Sequence, residues 1–152
     1  MKKFTDTAGG EWPVVITVDT IKRVRGEINV DLLEIVGGKL IAEICADPVL
    51  LCDIAYAICK PEADKRGLDS SGFGSLLSGD VIEAAGNALM QELIDFFPQP
   101  KRQLLEKAFR KMQEIEIRGM ELAETKLADP EMDKHLETML EQSIASSMSS
   151  PE

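Results

Sequence analysis

An apolar segment directly after an Asp-Pro pair constrains this fold more than any other feature of the sequence. Asp47 is a favoured helix N-cap and Pro48 is favoured at the first helical position, so the pair predicts a helix start. We predict a helix over residues 48–60 that ends before Pro61. Its sequence, PVLLCDIAYAIC up to residue 59, is apolar around almost the whole helix. Because it is too short to span a bilayer, such a helix must be surrounded by other elements of the same domain.

The rest of the chain predicts a mainly α fold with a small N-terminal β-hairpin. Gly9-Gly10 separates two candidate strands, and Pro13 restricts the second strand to a sheet edge. Helical spacing of apolar residues then predicts helices at 18–28, 32–36, 39–45, 73–77, 80–97 and 101–128. We therefore expect one compact helical domain over residues 1–128, with the hairpin at 1–17. Residues 129–152 are expected to form a mobile acidic tail that is partly helical or disordered.

The charge balance excludes several classes of protein. The 152 residues include 17 basic and 27 acidic side chains, a net charge of −10. Nucleic-acid binders depend on basic side chains, so we expect no nucleic-acid partner. No apolar run approaches the ~20 residues that a membrane span needs, and the start, MKKFTDTAGG, lacks a signal-peptide core. The three cysteines fit a reducing compartment, and we expect a cytoplasmic protein without a membrane partner.

No group of residues has the spacing of a catalytic or metal site. Cys45, Cys52 and Cys59 are seven residues apart, whereas zinc sites use close pairs such as C-x-x-C, so we expect these thiols to pack as small hydrophobes. His135 lies in the predicted tail, where a solvated role is expected. The glycine-rich stretch 71–79 lacks the Lys-Ser/Thr of a phosphate-binding loop. We therefore predict no enzyme, no cofactor and no metal.

Charged residues within or beside the apolar helix faces have two interpretations each. Asp53 is the only charged residue of the apolar helix, and we expect it to pair with a Lys or Arg of another helix, with a functional site as the alternative. Glu116 marks either the exposed margin of an apolar stripe or an edge that faces a partner. A basic cluster predicts a solvated helix face or a contact with an acidic protein; it comprises Lys101, Arg102, Lys107, Arg110 and Lys111.

Three segments resemble small phage and prophage proteins that are encoded among tail genes and act as tail assembly chaperones. The segments are FTDTAGGEWPVVITVDTIKRVRGEINVDLLEI (4–35), DPVLLCDIAYAICKPEADKRG (47–67) and FGSLLSGDVIEAAGNALMQELIDFFP (73–98). The resemblance covers residues 4–110 and rests on the overall pattern of the sequence rather than on an invariant catalytic motif. It implies a non-enzymatic helper that binds the tape-measure protein, keeps its hydrophobic helices soluble and helps to recruit tail-tube subunits. It implies no catalytic residue.

Two places are predicted to bind partners. The hairpin has an outer edge with unpaired backbone groups, and Trp12 and Val14 belong to that edge strand. The long C-terminal helix has an apolar stripe with a margin near Met120 and Leu127. The expected partners are tape-measure and tail-tube proteins or a second copy of the chain, met in the host cytoplasm during assembly. The alternatives are a structural virion component, such as a connector or tail-completion subunit, and a helical regulatory adaptor.

Overall fold

A computed structural model describes residues 2–148 of the chain. The fold is 76% helical and carries a small antiparallel hairpin at its N-terminus, which confirms the predicted fold class. Its elements are β1 (Lys2–Thr5), β2 (Glu11–Val14), α1 (Val18–Ile28), a 3-10 helix (Leu32–Gly37), α2 (Lys39–Ala46), α3 (Pro48–Lys65), α4 (Ser70–Gly74), α5 (Asp80–Phe96), α6 (Lys101–Leu127) and α7 (Pro130–Met148).

The chain divides into two compact units, and the division falls within α6, between Phe109 and Arg110. The first unit holds the hairpin, α1 to α5 and the start of α6. The second holds the rest of α6 and all of α7. The division lies inside the predicted single domain of residues 1–128, whose expected end falls instead at the turn between α6 and α7. Much of the predicted tail is the helix Pro130–Met148. Residues 149–152 of that tail lie outside the described residues.

The hairpin is short and packs one of its faces into the first unit. Phe4 pairs with Trp12 and Lys3 with Pro13. The turn is closed by the Asp6 N–H, which donates to the Gly10 carbonyl oxygen at 2.8 Å. Hydrogen-bonded and non-hydrogen-bonded pairs alternate along an antiparallel ladder, so Pro13 occupies a non-hydrogen-bonded position where its missing N–H costs no ladder bond.

Helix α3 lies at the centre of the first unit. The Asp47 carboxylate accepts from the N–H groups of Val49 and Leu50, as expected for an N-cap. The helix packs against α1, α2, α4, α5 and β2. Its buried residues are Leu51, Ile54, Ala55, Ala57, Ile58, Cys59 and Ala63. Val49 departs from the expected burial and is 68% exposed.

The predicted end of α3 before Pro61 is wrong, because the helix continues through this proline to Lys65. Proline has no N–H, so the carbonyl oxygen four residues earlier, that of Ala57, loses its helical donor. Arg23 of α1 supplies a replacement: its Nη1 donates to the Ala57 oxygen at 3.2 Å and to the Ile58 oxygen at 3.0 Å. The interior proline is tolerated because a side chain from another helix satisfies the backbone it leaves unpaired.

Candidate partner-binding surface

Trp12 and Val14, predicted to bind partners, lie in the core of the first unit. Trp12 is 0% and Val14 is 3% exposed. The Trp12 ring packs edge-on against Phe73, with centroids 4.9 Å apart. Arg66, at the end of α3, lies over the same ring at 4.0 Å from its centroid. These contacts attach the hairpin to α3 and α4, and they leave neither side chain on the surface for a partner.

Asp6 is the buried polar centre of the hairpin. Its carboxylate accepts from Trp12 Nε1 at 2.8 Å and from the N–H groups of Ala8 and Gly10. Burial by itself raises the pKa of Asp6, but the hydrogen bonds from Trp12, Gly10 and Ala8 and the charge of Arg66 outweigh it, so the pKa lies below its ordinary value. A Cβ at Gly10 would stand 2.8 Å from Asp6 Oδ2, so any larger residue there would displace the carboxylate that holds the turn.

The outer edge of β2, predicted as a place for a partner strand, is already used by α3. Residues in non-hydrogen-bonded pairs direct their backbone groups outward, which applies to Glu11 and Pro13. Cys59 Sγ donates to the Pro13 carbonyl oxygen at 3.6 Å, and Arg66 Nη2 donates to that of Glu11. Pro13 itself offers no N–H. Strand addition on β2 would therefore have to displace two contacts of α3, which makes the hairpin edge a poor docking site.

Residues 110–148, which we call the C-terminal helical segment, have a different character. Met112 and Met132 are half-buried, and every other described residue of this segment is exposed. The two partner-binding residues predicted here, Met120 and Leu127, are 57% and 60% exposed. The structure thus places this predicted pair on the surface and the pair in the hairpin in the core.

Both helices of the segment present large apolar side chains to solvent. As well as the predicted pair Met120 and Leu127, Ile115 and Leu122 belong to this surface. In the structure they are 59% and 62% exposed. The apolar residues of the segment that are exposed are Ile115, Ile117, Met120, Leu122, Leu127, Leu136, Met139, Leu140, Ile144 and Met148. A shallow groove of about 360 Å³ on α6 is lined by Arg118, Glu121, Leu122 and Thr125.

The C-terminal helical segment is also negatively charged and rich in methionine. It contains nine acidic and five basic residues, a net charge of −4. It also contains five of the seven methionines of the chain, namely Met112, Met120, Met132, Met139 and Met148. Glu116 is exposed on α6, as its stripe-margin interpretation requires. The net negative charge lies in residues 129–148, because residues 110–127 carry four acidic and four basic side chains.

The other candidate residues do not converge on a reaction centre. Burial raises the pKa of the Cys59 thiol to about 12, while Cys45 is exposed and Cys52 half-buried. Asp53 is half-buried and takes part in none of the ion pairs formed among residues 2–148, so the pairing expected for it is absent there. His135 is exposed. Within the described part of the chain, no three His, Cys, Asp or Glu side chains are grouped to hold a metal ion.

Two further findings bear on the class of protein. No helix among residues 2–148 combines the length and the apolar character needed to cross a bilayer. No protein-family model, no curated protein and no solved structure matches this chain.

Proposed function

We propose that this protein is a phage tail assembly chaperone, a non-enzymatic helper that binds the tape-measure protein and helps to recruit tail-tube subunits. One observation carries the proposal: the C-terminal helical segment exposes apolar residues along both of its helices. The resemblance of residues 4–110 to this family supports it independently. The chain acts in the host cytoplasm while tails are built.

An uncovered apolar helix face favours the binding of another protein. Most of the stability of a helix in a protein comes from packing an amphipathic face against a neighbour, because helices alone are marginal in water. In α6 the only buried residue is Leu105, in the first unit, and α7 buries none. Large apolar side chains exposed in this number are typical of protein interaction sites. A long, helical, hydrophobic protein such as a tape measure is a partner that would cover it.

Co-expression with the tape-measure protein tests the proposal. We expect the wild-type chain to raise the soluble fraction of the tape measure and to co-purify with it. Met120→Asp and Leu127→Asp place a charge in the apolar surface and are expected to lower both readouts. Val49→Asp is the matched control, because it makes the same change at a 68% exposed valine of the first unit. Equal co-purification of all three variants would contradict a role of this surface.

Two other observations distinguish the alternatives. A chaperone is absent from purified phage particles, whereas a structural virion component, such as a connector or tail-completion subunit, persists in them. The neighbouring genes give a second readout, since a tail-tube gene upstream and a tape-measure gene downstream are expected for a chaperone. A single cognate gene next door would favour a helical regulatory adaptor.

A further inference from the structure

We propose that the methionines of the C-terminal helical segment are sites of oxidation by peroxides, and that their oxidation makes the apolar surface of the segment polar while the first unit stays folded. The proposal adds a form of regulation to the proposed function and rests on that function only for the identity of the partner. Two observations carry it: where the methionines lie in the chain, and how their exposure differs between the two units.

Methionine is concentrated in the part of the chain that exposes apolar side chains. Five of the seven methionines belong to the segment, although the first unit is the larger of the two. The core of the first unit is built mainly from leucine, isoleucine and alanine. Met90 is the only methionine among residues 2–109. The oxidisable apolar side chains therefore lie where solvent reaches them.

The exposure of the methionines falls into three levels. Three methionines of the segment have exposed fractions between 54% and 82%, namely Met120, Met139 and Met148. The other two, Met112 and Met132, are half-buried. Met90 of the first unit is 1% exposed. Because a peroxide must reach the sulphur atom, we expect the order of reaction to follow this order of exposure.

The chemistry is the transfer of one oxygen atom. The thioether sulphur of methionine attacks one oxygen of hydrogen peroxide, and the O–O bond breaks as the S–O bond forms. The proton on the transferred oxygen passes to the departing hydroxide, which leaves as water. The sulphur is oxidised to a sulphoxide and the peroxide is reduced. Methionine sulphoxide reductases reverse this change.

A sulphoxide changes what this surface offers to a partner. It is polar and accepts hydrogen bonds from water, so covering it with an apolar partner costs free energy that covering a thioether does not. Two of the exposed methionines lie one helical turn from other exposed apolar side chains: Met120 follows Ile117, and Met139 follows Leu136. Oxidation therefore places polar groups within the apolar surface of both helices.

The first unit is protected from the same reaction. Met90 lies in α5, where Leu89, Leu93 and Ile94 are buried with it. A peroxide reaches this sulphur only when the unit opens, because the closed core leaves it no access to solvent. Oxidation of the folded chain is therefore confined to the segment, and it differs from oxidative unfolding of the protein.

Timed oxidation of the full chain tests the order of reaction. The chain is incubated with hydrogen peroxide, the reaction is quenched at intervals, and mass spectrometry of peptides gives the extent of oxidation at each methionine. We expect Met90 to react at least about ten-fold more slowly than Met120, Met139 and Met148. In urea these four residues should react at similar rates. Equal rates at the four residues in the native chain would overturn the inference.

Two further measurements follow the surface and the core of the oxidised chain. Retention on a hydrophobic-interaction column should fall after oxidation, because the segment has lost apolar surface. Urea unfolding of the first unit, followed by the fluorescence of Trp12, should not change, since Trp12 is the only tryptophan and is 0% exposed. Unchanged retention, or a shifted Trp12 transition, would contradict the proposal.

A leucine variant is the matched control, because leucine stays apolar and resists peroxide. Its substitutions lie at exposed or half-buried positions; they are Met112→Leu, Met120→Leu, Met132→Leu, Met139→Leu and Met148→Leu. We expect peroxide to leave the retention of this variant unchanged. Met90→Leu, in contrast, should respond to peroxide as the wild type does. Loss of retention in the leucine variant would assign the effect to other residues and overturn the inference.

Co-purification with the tape-measure protein separates this inference from the proposed function. Oxidation before mixing should lower co-purification at least about three-fold, and treatment with methionine sulphoxide reductase should restore it. A chain that binds the tape measure equally before and after oxidation of the segment refutes the inference and leaves the proposed function standing. A chain that does not bind the tape measure in either state refutes the proposed function, while the order of oxidation and the column retention still decide the inference.

Discussion

Arg23 Nη1 donates to the carbonyl oxygen of Ala57 at 3.2 Å, and this oxygen is the helical acceptor that Pro61 leaves without a partner. The same nitrogen reaches the Ile58 oxygen at 3.0 Å. A single guanidinium thereby joins α1 to α3 and supplies the hydrogen-bond donor that the central helix lacks at its proline. This relationship makes Arg23 and Pro61 energetically dependent on each other.

A double-mutant cycle tests this dependence. Arg23→Met keeps an unbranched apolar stem but removes the donors, and we expect it to lower the free energy of unfolding by about 1–3 kcal/mol, since a buried carbonyl is left unpaired. Pro61→Ala restores a backbone N–H for the Ala57 oxygen. Arg23→Met should therefore cost less in the Pro61→Ala background when both are measured by urea denaturation. Additive effects would show that the guanidinium does not compensate for the proline.

The second prediction concerns Asp6 and pH. Because the pKa of folded Asp6 lies below its ordinary value, its carboxylate stabilises the fold above the unfolded-state pKa. That contribution is lost as the pH falls through the folded-state pKa. At neutral pH, Asp6→Asn should lower the free energy of unfolding by about 1–3 kcal/mol, because three donors lose a charged acceptor. Urea titrations should show the difference from wild type shrinking between about pH 5 and pH 2; a constant difference would contradict the assignment.

The third prediction concerns thiol reactivity. Burial raises the pKa of Cys59 to about 12, and its sulphur is held against the Pro13 carbonyl, so little thiolate is present at neutral pH. Iodoacetamide should therefore modify Cys45 of the native protein first and Cys59 only after unfolding. Mass spectrometry of peptides from labelled native and urea-unfolded samples measures this. Cys45→Ser is the control, and rapid labelling of Cys59 in that native variant would show that β2 and α3 separate readily.

Local signals predicted the start of α3 but not its end, and the difference has a physical cause. Asp47 and Pro48 act on their own helix, so their effect is visible in neighbouring sequence. The continuation past Pro61 depends on Arg23, which lies 34 residues before the carbonyl it pairs with, and no local pattern records that contact. Proline rules therefore describe a default that tertiary contacts can override.

The candidate surface likewise depends on tertiary contacts that local sequence patterns do not record. Ile115 and Leu122 are seven residues apart and so share a helix face, but an apolar stripe looks the same in the sequence whether it faces its own core or another protein. The buried positions of Trp12 and Val14 likewise depend on Phe73, Arg66 and other distant residues. Sequence patterns predicted which residues share a face, while only the fold shows which faces are covered.

The last prediction concerns α7. This helix has no buried residue among those described, so its removal should leave the core of the first unit intact. We expect deletion of residues 131–152 to change the free energy of unfolding by less than about 0.5 kcal/mol, as for changes at exposed sites. Binding of the tape-measure protein should fall less than in Met120→Asp or Leu127→Asp, because the truncated chain keeps the stripe of α6. Denaturation and pull-down on the same three proteins measure both effects. If the truncation abolishes binding while both Asp variants retain it, the partner site lies on α7 rather than on α6.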